Sequence, residues 1–300
     1  LSHRTPIIQA SVFDGDYYET PLGRLSVDKE VTAALLAHRE LFSYQAKAHQ
    51  TYPGLMGNGG EHSVENQVPF LQCALEGDFK MVEILINAES PELCHKAGEA
   101  IAAAVKGKKA LLVASTDLTH WPAYEDAVRI DKAALEVLAG FDVPAVWKQL
   151  RQLEQESISV PKLSCVLCSK AAVMTVFEAA RALGANQAIV LDYKNSGDTG
   201  GDKSQVVGYG AMALYQSTGD QQKTSSASQP SASHELTADQ KKTLLNIARK
   251  TLEAVTRGER PDLPAVNDPV LKEIRGCFVT LTIQGQLRGC IGRFDPEGPL

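Results

Sequence analysis

Apolar and polar positions along this chain change period several times, and those changes outline its elements. After Asp28, a good N-cap, apolar residues recur at helical spacing through Ala33-Ala34-Leu35-Leu36 towards Phe42 and predict a helix. Met81-Val82-Glu83-Ile84-Leu85-Ile86 reads as a buried strand. Ser90-Pro91 opens a second helix that reaches about Val105, with proline at the first helical position, where its missing N–H costs nothing. Ala110-Leu111-Leu112-Val113-Ala114-Ser115 is an unbroken apolar run, the pattern of a central parallel strand. Helical periods return over about residues 123–138, 144–153 and 168–183, the last closed by Gly184, and strand patterns over 188–193 and 206–215. Residues 1–21 read as loop and 16–23 as turn-rich. Strands alternating with helices predict an α/β fold with a largely parallel sheet flanked by helices.

The pattern fails between Gln216 and Ser233, where Ser, Gln, Thr, Gly and Asp replace any apolar period. The sequence therefore divides into an α/β domain over 1–216, a flexible linker over 217–234 and a second unit over 235–300. Thr237-Ala238-Asp239-Gln240 is a capping box ahead of an amphipathic helix to about Thr256. Gly276 to Ile283 is a strand, Gln284-Gly285 a turn, and Leu287 to Ile291 the returning strand, the beginning of an α+β domain. The chain starts at Leu1 without methionine and stops just after a strand pattern, so sequence is expected beyond both ends.

Composition narrows the class. A net charge of −6 with no basic block argues against nucleic acid as partner, and no apolar run has the length of a membrane span. The first residues lack a signal-peptide pattern. Six cysteines in 300 residues are too few for a disulfide framework and suit reduced thiols, which predicts a cytoplasmic protein.

Chemistry-bearing residues gather in three stretches. Glu61-His62-Ser63-Val64-Glu65-Asn66-Gln67 follows the glycine-rich Gly57-Asn58-Gly59-Gly60 and turns abruptly apolar at Val68-Pro69-Phe70-Leu71. A helix start near Ser63 explains Ser63 as a cap and Glu65 as a first-turn carboxylate, but leaves His62 unexplained. Asp117 and His120 follow the 110–115 strand pattern at its carboxyl end, where open α/β sheets bind ligands. The plainer alternative has Asp117 capping the next helix and His120 packing on Trp121. Cys168 is read as opening a helix, where amide dipoles favour a thiolate, while a buried structural role is the more common outcome for an isolated cysteine. Cys165 and Cys168 form a C-x-x-C pair, but there is no second pair to complete a zinc site. His3, His62, His120 and Cys168, with Asp117 and Glu65, offer the N, S and O donors that transition metals use. His38, His49, His95 and His234 read as solvated. Gly197 to Gly201 leads into a strand rather than a helix, so it is not a phosphate loop.

Ser2-His3, Tyr18-Glu19-Thr20-Pro21-Leu22-Gly23 with Asp28, Glu61-His62-Ser63-Val64-Glu65 with Gln67-Val68-Pro69-Phe70, Ser115-Thr116-Asp117-Leu118-Thr119-His120-Trp121, and Ser196-Gly197-Asp198 before Val207-Gly208-Tyr209 together resemble the Memo family over about residues 1–216. Gly276 to Ile283 and Leu287-Arg288-Gly289-Cys290-Ile291-Gly292 resemble the AMME-syndrome candidate domain. The fused pair resembles the AmmeMemoRadiSam system, which implies a radical SAM protein as partner. The resemblance implies a fold similar to the class III extradiol dioxygenases, which use non-haem iron. It also implies a pocket metal, iron or copper, held by His3, Cys168 and a further His in an upstream Pro-His-Ala-Gly segment that precedes this chain. His62, Asp117 and His120 match residues lining that pocket. Where the family commonly places Gly-Arg after the cysteine, this chain has Ser169-Lys170. In the second unit, Arg288 and Cys290 are the candidate binding residues, Arg288 as an anion clamp beside Gly289.

The expected function is a non-haem metal-binding, dioxygenase-like oxidoreductase, in which His3 and Cys168 hold the metal. His120 is its general acid or base, with Asp117 or Glu65 orienting it. Two other functions suit the same residues: a non-catalytic pocket for metal, peptide or small anion, and a metal-free cysteine hydrolase built on Cys168, His120 and Asp117.

Overall fold

The computed structural model describes residues 10–49, 63–75, 77–87, 89–199, 202–217, 236–259, 261, 266, 268–272, 277–283 and 286–293, with the backbone alone at 199, 255, 272, 277–283 and 286–293. The chain forms two compact units, residues 1–72 with 77–220, and residues 73–76 with 221–300.

The first unit is mixed α/β. Strand β1 (Ala10–Val12) lies between β4 (Phe42–Ser43), parallel to it, and β5 (Ile84–Leu85), antiparallel to it. Residues 16–23, read as turns, instead give the hairpin β2 (Tyr17–Thr20) and β3 (Gly23–Ser26). Tyr18 and Leu25 pair across it and bury their side chains while their neighbours face water. Helix α1 (Lys29–Leu36) begins as expected at Asp28, whose carboxylate accepts the N–H groups of Glu30 and Val31. It ends at Leu36, earlier than expected, because Leu41 and Phe42 turn in and Phe42 joins the sheet.

Helix α2 (Ser63–Ala74) follows, then α3 (Pro91–Val105), α4 (Tyr124–Ala139), α5 (Val143–Glu156) and α6 (Lys170–Ala182). Ser90 caps α3 through the Leu93 N–H, as its sequence predicts. Helices α3 and α6 approach closely at Gly98, where a Cβ would lie 2.6 Å from the Glu178 Cβ and 2.9 Å from the Ala179 backbone nitrogen. The core runs from β1 and α1 through the inner faces of α3, α4, α5 and α6, with Leu35, Ile130, Leu150 and Met174 fully buried. Strands β6 (Gln187–Asn195) and β7 (Gly208–Tyr215) form a long antiparallel ladder beside α4.

The largely parallel sheet therefore needs correction. Among the described residues, β1 with β4 is the one parallel pair of strands, an isolated parallel bridge joins Val27 and Met81, and the other strand pairs are antiparallel. Residues 110–115 form no strand. Leu112 and Ala114 pack on the core, but Leu111 and Val113 are 65% and 45% exposed, so the run is covered on one side only. An apolar run predicts a buried strand only when both faces are covered.

In the second unit, α7 (Ala238–Thr256) starts at the predicted capping box. The Gln240 N–H donates to Thr237 Oγ1 at 3.3 Å and the Thr237 N–H to Gln240 Oε1 at 2.8 Å. Strands β8 (Cys277–Ile283) and β9 (Gln286–Arg293) pair antiparallel, with a bulge that leaves Arg288 without a cross-strand partner while Cys290 faces Thr280. No helix among the described residues is long and apolar enough to cross a membrane.

Candidate functional site

The pairing expected for residues 110–115 is found a few residues downstream. On one flank, the Leu118 N–H donates to the Gly208 carbonyl at 2.9 Å, the Gly208 N–H to the Thr119 carbonyl at 2.9 Å, and the Trp121 N–H to the Val206 carbonyl at 2.7 Å. On the other flank, the His120 N–H donates to the Cys165 carbonyl at 3.2 Å, the Ser164 N–H to the His120 carbonyl at 3.0 Å, and the Cys168 N–H to the Asp117 carbonyl at 3.1 Å. Residues 117–121 thus lie between the start of β7 and the segment 164–168. Leu118 and Thr119 are buried at 2% and 0% exposure, whereas Asp117 and His120 remain partly accessible. The segment ends at Trp121, whose φ of 70° is unusual for a residue with a side chain and marks an abrupt change of direction.

This arrangement brings together Asp117, His120 and Cys168, whose carboxylate, imidazole and thiol donor atoms all lie within 4.8 Å of one another. His120 Nε2 lies 3.2 Å from Asp117 Oδ2, and the Asp117 N–H donates to Cys168 Sγ at 3.2 Å. The hydroxyls of Thr116 and Ser169 each lie 3.6 Å from the same sulfur. Asp117 caps no helix, because α4 begins at Tyr124 behind Ala123. His120 does touch Trp121, with ring centroids 6.0 Å apart, but its polar contacts are with the cluster.

Cys168 lies two residues ahead of α6, whose N-cap is Ser169, so it does not open the helix as expected. Its thiol owes its acidity to local donors. Burial pushes the pKa up, but hydrogen bonds with His120, the Asp117 amide, Ser169 and Thr116 outweigh burial and lower it. For His120, the hydrogen bond to Asp117 and then that to Cys168 raise the pKa to about 9 against the opposing effect of burial. Both shifts move the pair towards a thiolate beside an imidazolium. Burial pushes the Cys165 thiol the other way, up to about 12, so the two cysteines of the C-x-x-C pair are unlike.

The other candidates fall elsewhere, and His49, read as solvated, is instead buried, its ring nitrogens 2.8 Å from Ser11 Oγ and 3.0 Å from Glu83 Oε1. His3 and His62, with the glycine-rich approach 57–60, lie outside the described residues. Glu65 is exposed on the first turn of α2 and is not among the three clustered groups. The helix start joins the site through Ser115, which donates to the Ser63 carbonyl at 2.9 Å and accepts from Gln67 Nε2 at 3.2 Å. Arg288 and Cys290 are described in backbone only. Lys170 points into the protein, 2% exposed, with Nζ 2.6 Å from Glu154 and 3.0 Å from Glu89. A cleft of about 1100 Å³ between α3, α5 and α6 is lined by Trp147, Arg151 and Arg181 and includes none of the clustered residues.

Thr116 is the group sequence reading missed. Its hydroxyl accepts the Ser169 N–H at 3.1 Å, and its position directly before Asp117 was the available signal.

An α/β unit with a thiolate, an imidazole and a carboxylate converging beside β7 is a domain built around a candidate metal site. The Memo family model, described as Memo-like protein, matches residues 1–213, and the AMMECR1 model matches residues 245–300. A MEMO1 family protein of Methanosarcina mazei is 31% identical over 199 residues, 66% of this chain and 67% of its own length. One from Sulfolobus acidocaldarius is 33% identical over 201 residues, 66% and 64% of the two chains. One from Desulfurococcus amylolyticus is 30% identical over 207 residues, 68% and 66%. The chain belongs to the Memo family, with an AMMECR1 domain following the Memo domain. It spans about two thirds of the length of these curated relatives.

Proposed function

We propose that the Memo domain is a metal-dependent, dioxygenase-like oxidoreductase whose metal is held at Cys168. The observation that carries this reading is the convergence of S, N and O donors within 4.8 Å around a thiol already biased towards thiolate. A soft thiolate beside imidazole suits iron, copper or zinc rather than magnesium. Cys168 would hold the metal through Sγ, together with His3 and the upstream histidine that the family resemblance implies. A redox-active iron or copper there would supply electron transfer and polarisation of a bound substrate.

The residues of this chain account for the proton chemistry beside it. His120 carries a proton at Nε2 towards Asp117, which fixes the ring and favours the charged form. A substrate entering the partly accessible face would meet His120 as proton donor and Cys168 behind it. Glu65, on the first turn of α2, is proposed to border that entrance, and His62 is proposed as a pocket residue from the family resemblance alone. For the second unit we propose that Arg288, at the β9 bulge, and Cys290 bind an anionic group. The two family matches in one chain support the further reading that a radical SAM protein is its partner in the cytoplasm.

Elemental analysis of the full-length protein tests the central reading. Iron or copper near one per chain, lost in Cys168→Ala, is expected; no transition metal in either form would overturn it. The thiolate–imidazolium–carboxylate geometry also fits a nucleophilic cysteine. That reading predicts one-to-one alkylation of Cys168 at neutral pH that metal does not block, whereas the metal reading predicts protection.

A further inference from the structure

Helix α4 carries one residue that its own packing does not explain. Its inner face is Ala127, Ile130, Ala134, Leu135 and Leu138, and Asp131 sits among them with 0% exposure. A carboxylate is costly in such a place unless it is fully hydrogen-bonded, and an apolar residue would serve packing better. Asp131 Oδ1 accepts the Thr119 N–H at 2.8 Å, the amide between Leu118 and His120, and Oδ2 accepts the Tyr193 hydroxyl at 2.8 Å. Asn195, itself fully buried, donates to that hydroxyl at 3.3 Å and accepts the Gly197 N–H at 2.9 Å. Gly208, whose carbonyl and N–H bind Leu118 and Thr119, lies so close that a Cβ there would be 2.0 Å from Asp131 Oδ2. The Val207-Gly208-Tyr209 motif therefore meets Asp131 directly at Gly208, and Ser196-Gly197-Asp198 is joined to it through Asn195 and Tyr193.

We propose that Asp131 is the positioning residue of the site: through the Thr119 amide it fixes residues 117–120, so that Asp117 and His120 meet Cys168. The proposal rests on the reading of Cys168 as a metal ligand with His120 and Asp117 beside it. It has consequences for the metal-free protein as well. Thr119 has its side chain buried and its carbonyl bound to Gly208, so the Asp131 bond completes the backbone bonding of a residue flanked by two site residues. Loss of that bond leaves a buried amide unpaired and lets the segment shift, which separates the three donors.

The test uses the full chain with Asp131→Ala, Asp131→Asn and Tyr193→Phe, read by amide hydrogen exchange in the metal-free state and by cobalt(II) titration. Asn keeps an oxygen for the Thr119 N–H, so Asp131→Asn should keep both the protection of the Thr119 amide and the cobalt affinity. Asp131→Ala should lose that protection while the α3 and α6 amides keep theirs, and should bind cobalt about 10–100-fold more weakly, the range for lost support of a metal ligand. Tyr193→Phe, which keeps the carboxylate, should fall between wild type and Asp131→Ala and remains informative where Asp131→Ala does not fold. Wild-type affinity and protection in Asp131→Ala would overturn the proposal, as would loss of the Thr119 protection in Asp131→Asn, or Tyr193→Phe losing protection throughout the unit rather than at 117–120. If the wild type itself takes up no cobalt, the metal reading fails, and the exchange data still decide the role of Asp131.

Discussion

Cys168 draws its character from two directions that compete. Burial alone would make it an inert thiol; His120, the Asp117 amide and two hydroxyls reverse that. Replacing His120 by Gln should therefore let burial win. Iodoacetamide alkylation of Cys168 in the metal-free protein at pH 7 should slow, because the thiolate fraction falls faster than the thiolate's nucleophilicity rises as the pKa goes up. An unchanged rate would show that His120 does not sustain the thiolate. The proton on His120 gives a second prediction. A cation placed beside it must displace or repel that proton, so metal affinity should rise as pH increases towards about 9 and level off beyond it. Titrations across that range check the sign. Asp117, His120 and Cys168 were legible in the sequence because polar, ligand-forming residues followed apolar runs. The bias of Cys168 towards thiolate was not, because it comes mostly from His120, Asp117 and Thr116, 48 to 52 residues away in the chain, which no local pattern encodes.

At the scale of elements, capped helices were read most faithfully. Asp28, Ser90 and the Thr237–Gln240 box all mark real starts, since a cap is a local hydrogen bond between near neighbours. Strands were read less well, because pairing depends on distant partners. Residues 110–115 had the composition of a central strand, yet the ladder-like bonds are made by 117–121 with 206–208 and 164–168. The hairpin of β2 and β3 was hidden among turn-forming residues because only Tyr18 and Leu25 carry its buried face. Asp131 carried a legible signal that went unused, a lone carboxylate inside the apolar stripe of α4. This packing makes Gly208 intolerant of a side chain. Gly208→Ala should lower stability by about 1–3 kcal/mol through overpacking against Asp131. Urea unfolding with an unchanged midpoint would contradict the close approach.

For the whole molecule, the charged pair ties stability to pH. The folded pKa of His120 is raised from 6.5 to about 9, so its contribution is complete below about pH 6.5 and is lost as pH rises through about 9. The stability difference between the metal-free wild type and His120→Gln should therefore be largest in mildly acidic solution and shrink across that window. A difference that grew with pH would reverse the assignment of the charged form. The Memo match ends at residue 213 and the AMMECR1 match begins at 245, on either side of the stretch after Tyr215 where the apolar period is lost. The way the Memo domain gathers its site from residues 116–120, 165–169 and 206–208 was not visible at that scale, since it depends on which loops the fold brings side by side.

The most direct test of the account is cobalt(II) binding by the full-length protein, followed by its optical spectrum, in wild type and Cys168→Ala. The account predicts one cobalt per chain with a thiolate-to-metal charge-transfer band in the wild type, and loss of that band with much weaker binding in the variant. Binding of equal strength in both, or a wild-type spectrum without the thiolate band, would contradict a metal centre at Cys168.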